Sequence, residues 1–186
     1  MVKSVRRVAK PRVRSRVAVV RTLSKSASQG VLQLGPLIFR CAIGRTGISA
    51  RKREGDGATP AGAWQVRRVH YRPDRGPRPP IGSRAVPVKP ESGWCDAVSD
   101  ANYNRPIRHP YPASAEQLWR ADHLYDLIIV LGYNDRPRMQ GRGSAIFMHV
   151  AREGYAPTEG CIALSRTHLL RLLQLQPKLR AVRVVC

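Results

Sequence analysis

The chain has 186 residues, room for one domain with its own apolar core, and a formal net charge of +21. No stretch approaches the roughly 18 to 20 apolar residues of a membrane-spanning helix, so an integral helical membrane protein is excluded. A surface of that sign attracts anions, whether nucleic acid, anionic lipid headgroups or an acidic cell-wall polymer, and says nothing of the reaction performed.

Arg and Lys recur from Lys3 to Arg53, and no acidic residue precedes Glu54. Residues 1–12 read as a disordered basic arm and residues 13–186 as the domain. Val17–Val20 is shorter than the ~7 to 15 apolar residues of a signal-peptide core, and Arg6-Arg7 lacks the apolar stretch of a twin-arginine leader. The expectation is a chain without a visible export signal. Arg16–Thr22 reads as a strand. Val31–Leu34 and Leu37–Ile43 flank the turn dipeptide Gly35-Pro36 and read as a hairpin. Arg45–Gly62 is a polar, Gly-rich loop, in which Asp56 and Thr59 brace a turn, and Ala63–His70 returns to a strand pattern.

Residues 72–92, dense in Pro, Arg and Gly, predict a surface loop with one short strand at Ala85–Val88. Trp94–Trp119 is also irregular. Its aromatic residues give either a mini-core under the loop or a lid over a ligand. Leu124–Leu131 is the most apolar run and predicts a buried central strand. Ser144–Val150 and Cys161–Leu164 are further strands. Thr167–Leu175 carries Leu169, Leu170, Leu172 and Leu173 at helical spacing, and Ala181–Val185 is a closing strand. The sum is a mainly β domain, a sandwich or barrel-like sheet pair, with one C-terminal helix before a last strand.

The four cysteines, Cys41, Cys95, Cys161 and Cys186, form no C-x-x-C pair, which argues against a zinc ribbon. A disulfide among Cys41, Cys95 and Cys186 stays open. The densest chemical signal is Ser144–Ser165, SAIFMHVAREGYAPTEGCIALS. A strand ends in His149, a loop with Gly154, Pro157 and Gly160 follows, and Cys161 opens the next apolar stretch. Two strand ends joined by such a loop can bring an imidazole to a thiol. The thiolate is the nucleophile, and a neighbouring His takes its proton. Gly160 is expected to remove a Cβ where substrate approaches, and backbone N–H groups at Gly160, Cys161 and Ile162 to face a developing oxyanion. His70, His109, His123 and His168 stand alone, without metal spacing.

His149 followed by Thr158-Glu159-Gly160-Cys161-Ile162-Ala163-Leu164, with the upstream tract Glu54-Gly55-Asp56-Gly57-Ala58-Thr59-Pro60-Ala61-Gly62, resembles the L,D-transpeptidases of the YkuD type. The resemblance covers roughly residues 15 to 185. It implies a β-rich cysteine acyltransferase acting on peptidoglycan stem peptides. Cys161 would attack a tetrapeptide donor, D-alanine would leave, and an amine would resolve the acyl-enzyme. Water in place of the amine would give a carboxypeptidase. No metal or organic cofactor is implied, and the family implies the periplasm or cell wall, although a cytoplasmic location stays open. Arg152, Tyr155, Arg166, Trp94 and Tyr103 are the expected substrate contacts, with Arg138 and Arg142 mostly solvated charge. The chain departs from the family pattern at Ala163, where many members have Arg, at Val150, often Gly, and at Glu159, often small or polar. A monomer is expected. The alternative is a basic nucleic-acid-binding module. The chain lacks a recognisable binding motif for that role and few of its residues are aromatic, so only non-specific binding is expected. Papain-like and NlpC/P60 hydrolases place Cys before His, and sortases separate His from Cys by a much longer gap.

Overall fold

The computed structural model describes residues 17–22, 24, 27–81, 85–174 and 179–186. The basic arm at 1–12 lies outside the described residues. Three strands open the fold: β1 (Val17–Thr22), β2 (Gln29–Leu34) and β3 (Leu37–Ala42). Each has one buried face. Ala18, Val20, Leu32, Leu34, Phe39 and Cys41 point inward at period two, which fixes the register because a one-residue slip would turn all of them to solvent. Gly35, with φ of 59°, makes the β2–β3 turn as the sequence predicts.

The expected polar loop Arg45–Gly62 is more ordered than its composition indicates. β4 (Ile48–Ser49) and β5 (Thr59–Pro60) pair in parallel within it. β6 (Gly62–Tyr71) follows, then β7 (Ala85–Pro87). The stretch read as irregular, Trp94–Trp119, carries most of an inserted three-stranded sheet between its turns. Its strands are β8 (Ser92–Cys95), β9 (Pro106–Arg108) and β10 (Ala115–Gln117), in the order β10-β8-β9. β11 (Leu127–Leu131), β12 (Phe147–Val150), β13 (Ile162–Leu164), helix α1 (Arg166–Gln174) and β14 (Ala181–Val185) complete the chain. Leu175, expected in the helix, lies outside the described residues.

Among the described residues the main sheet runs β11-β12-β13-β3-β2-β1-β14-β6-β7. It closes on itself because β6 is long enough to pair with β14 through Gly62–Gln65 and with β11 through Val66–Tyr71. The protein is therefore mainly β, with a closed barrel-like sheet and one helix. α1 inserts Leu169, Leu172 and Leu173 into the barrel's interior core. That burial anchors a nine-residue helix too short to persist alone.

A second apolar cluster lies outside the barrel wall, beneath the inserted sheet. It contains Trp94, Leu118, Tyr125 and Phe147. β11 serves both clusters: Leu127, Ile129 and Leu131 face the interior, while Ile128 and Val130 face the second cluster. Both faces are buried, so the strand is apolar without alternation. No helix among the described residues is long and apolar enough to cross a membrane. All four cysteines are free, which closes the disulfide question: Cys41 sits in the barrel core, Cys95 is buried in β8, and Cys186 is exposed.

Candidate active site

β12 and β13 run parallel, with Met148 opposite Ile162, His149 opposite Ala163 and Val150 opposite Leu164. Side chains alternate along each strand. Met148, Val150, Ile162 and Leu164 fill the barrel interior. Phe147 and His149 therefore face outward, and so does Cys161, which enters β13 one residue early. The Phe147 N–H donates to Cys161 Sγ at 3.4 Å, just ahead of the paired residues. His149 and Cys161 line one cleft of about 110 Å³, together with Glu116, Tyr125, Arg120 and Ala163.

The loop between the strands is held by the segment that follows β3, the strand next to β13. Thr158 N–H donates to Ile43 O and Arg45 N–H to Thr158 O, at 2.9 and 2.8 Å. Thr158 Oγ1 accepts from the Gly160 N–H at 3.2 Å and donates to Cys161 O at 2.7 Å. Thr59 Oγ1 accepts from the Gly44 N–H at 2.8 Å and donates to Cys161 O at 3.4 Å. Asp56 accepts from the N–H groups of Arg53 and Ala58 and pairs with the buried Lys52, bracing the turn ahead of Thr59. Burial works against the Asp56 carboxylate, but these bonds outweigh it and hold its pKa below the ordinary value.

Gly160 has φ of 131°, a conformation that L side chains rarely adopt, and an added Cβ would stand 2.7 Å from Ala58 O. The backbone of the Glu54–Gly62 tract by itself requires the glycine here. Its N–H is committed to Thr158, which removes Gly160 from the expected set of oxyanion donors.

Burial disfavours the charged form of both Cys161 and His149. Cys161 is half-buried as a residue, but its sulfur lies in dense surroundings. Burial first, and the Glu116 carboxylate second, push its thiol up to about 12. The S–H donates to Ala145 O at 3.2 Å. His149 is held down to about 4, by burial before the nearby guanidinium groups of Arg152 and Arg120. Its Nδ1 lies 2.9 Å from Val150 O, so Nδ1 carries the proton and Nε2 is left with the basic lone pair. Tyr125 stacks edge-on to the imidazole at 5.5 Å and donates to Glu116 Oε2 at 2.8 Å.

The model of the YkuD family, the L,D-transpeptidase catalytic domain, matches residues 24–184. The chain belongs to this family. Its members act on peptidoglycan and are typically associated with the cell wall. No curated protein and no solved structure matches the chain significantly.

Within this L,D-transpeptidase domain the other sequence-predicted residues scatter. Arg152 lines the cleft and is exposed. Tyr155, with φ of 59°, turns away to the β2–β3 hairpin, where the Arg40 guanidinium lies over its ring at 4.8 Å. Arg166 donates to Arg75 O at 3.1 Å and is not a cleft wall. Trp94 and Tyr103 are core residues of the insert and not a lid. The Trp94 indole N–H donates to Asn104 Oδ1 at 2.9 Å and its ring meets Phe147 edge-on. Tyr103 is 1 % exposed and bonded to Glu54 and to the Gly143 N–H. Ile162 points into the barrel. Glu159 pairs with Arg45 at 2.8 Å on the surface. The residues that sequence reasoning missed are Glu116, Arg120 and Tyr125. The pairing of β10 with β8 fixes the position of Glu116, and no local motif marks any of the three.

Proposed function

We propose that the protein is a cysteine acyltransferase that uses Cys161 as nucleophile and His149 as its base on peptidoglycan stem peptides, at the cell wall or in the periplasm. The observation that carries this reading is the parallel register of β12 and β13, which puts thiol and imidazole on one face and in one cleft. The thiol turns from the Ala145 carbonyl toward Nε2. As the sulfur attacks the donor carbonyl, the proton passes to His149, and the tetrahedral oxyanion takes the N–H of Cys161. The imidazolium then gives its proton to the departing D-alanine nitrogen as the C–N bond breaks, leaving a thioester. An acceptor amine attacks the thioester, loses its proton to His149, and the thiol is restored.

The experiment is incubation of the purified protein with disaccharide-tetrapeptides, read by mass spectrometry. Loss of D-alanine with a dimeric product is the expected result; loss of D-alanine with gain of water marks hydrolysis at the same site. Cys161→Ala and His149→Ala should each lower turnover by roughly 10³-fold or more while the fold persists. Turnover at the parent rate by either variant would refute the assignment.

A further inference from the structure

A second cavity stands apart from the cleft at Cys161. It is an open trough of about 710 Å³ on the other side of the inserted sheet, between that sheet and the barrel wall. Its accessible floor is apolar, made by Val86, Pro87, Pro106 and Ile107 above the buried Trp94, Leu118, Val130 and Phe147. Its walls are cationic and come from separate elements: Arg68 on β6, Lys89 ahead of β8, Arg105 and Arg108 at β9, and Arg136 beyond β11. Two carboxylates also line it, and both are already engaged, Asp135 with Arg67 at 2.7 Å and Glu91 with Arg108 at 3.8 Å. Among the described residues no carboxylate pairs with Arg68, Lys89, Arg105 or Arg136. Uncompensated guanidinium groups over a half-apolar floor are the complement of an anion with an uncharged body.

Two features narrow the anion. The four free cations are dispersed over four separate segments with apolar surface between them, which suits charges spaced by uncharged units better than the dense charge of a polyphosphate. The aromatic rings present are already used. Trp94 is 9 % exposed and packed edge-on to Phe147, and Tyr133 is packed edge-on to Trp64, so the trough lacks the free stacking platforms that single-stranded nucleic acid uses. We propose that this trough binds a carboxylated polysaccharide, whose carboxylates are taken by Arg68, Arg105 and Arg136 while its sugar rings lie on the apolar floor. Phe147 joins the two cavities: it lies beneath the trough and its N–H touches Cys161 Sγ. A polymer held there would lie beside the thiol, although its binding does not depend on any reaction of that thiol.

The test is fluorescence anisotropy of a labelled oligogalacturonate titrated with the whole chain near physiological salt, with linear polyphosphate and an oligo-dT of matched charge beside it. The oligogalacturonate should bind most tightly. Arg68→Ala with Arg105→Ala should weaken it roughly tenfold and lower the slope of log K against log salt by about two. Arg21→Ala with Arg183→Ala removes the same charge from the distant β1–β14 surface and should change affinity less than about twofold. Equal losses from the two pairs would reduce the effect to overall charge and overturn the proposal. So would tighter binding of polyphosphate or oligo-dT, or no measurable binding of the oligogalacturonate.

Discussion

Gly160→Ala tests whether the nucleophile loop is held by the Glu54–Gly62 tract. The substitution meets two costs. A φ of 131° is nearly closed to an L residue, and such strain is worth about 1–3 kcal/mol. The new Cβ would also stand 2.7 Å from Ala58 O, closer than real contacts allow, and the obstacle is backbone with no rotamer to move. Relief would require the two loops to part, stretching the Thr59 bond to Cys161 O. Adding a steric term of roughly 1–2 kcal/mol gives a loss of about 2–5 kcal/mol. Gly154 supplies the comparison: its φ is 66° and nothing lies within 4 Å of its Cβ position, so Gly154→Ala should cost only about 1 kcal/mol. Urea unfolding of both variants at unchanged m measures the difference. If Gly160→Ala fell within about 0.5 kcal/mol of the parent, or cost no more than Gly154→Ala, the claim that the two tracts lock together would be wrong.

Two further predictions concern charge. His149 and His70 are both held down to about 4, chiefly by burial, so unfolding takes up protons as pH falls below the ordinary histidine value near 6.5. Stability is therefore intact above about pH 6.5 and lost as pH drops toward 4. Between pH 7.5 and 5 each histidine should cost about 2 kcal/mol, seen as a falling urea midpoint, and His149→Gln should remove about half of that slope; a slope unchanged by the substitution would count against a buried neutral imidazole. The Glu116 charge is the second cause of the raised Cys161 pKa, so Glu116→Gln should speed alkylation of Cys161 by iodoacetamide at pH 8.5 several-fold, followed by peptide mass spectrometry to separate it from the exposed Cys186. An equal or slower rate would place Glu116 too far away to matter.

How much of this was legible in the sequence depended on how local its cause is. β1, β2, β3 and β6 could be read because one buried face imposes an alternating pattern, and β11 because burial on both faces makes it apolar throughout. The inserted sheet was not legible. Ser92–Cys95, Pro106–Arg108 and Ala115–Gln117 are three or four residues long and carry Pro, Arg and Glu, and they are strands only because they pair with one another over the Trp94–Phe147 cluster. Barrel closure was equally hidden, since it rests on β6 meeting β11 some sixty residues later. At the site, the spacing of His149 and Cys161 was visible because both sit at the ends of strands joined by one loop. Glu116 and Tyr125 arrive through tertiary pairing and left no motif. Trp94 and Tyr103 misled for a related reason: an aromatic residue in a long loop can cover a ligand or a small core, and only its hydrogen-bond partners decide which.

The protonation of the resting site bears on how it would work. With the thiol pushed up and the imidazole held down, both chiefly by burial, the proton favours sulfur over nitrogen at rest. That direction agrees with the S–H being spent on the Ala145 carbonyl. In the proposed mechanism, proton transfer becomes favourable only as the S–C bond forms, when negative charge leaves sulfur for the carbonyl oxygen and the Cys161 N–H can stabilise it. On that proposal, selectivity would reside in positioning of the donor more than in the intrinsic reactivity of Cys161, because burial disfavours the free thiolate.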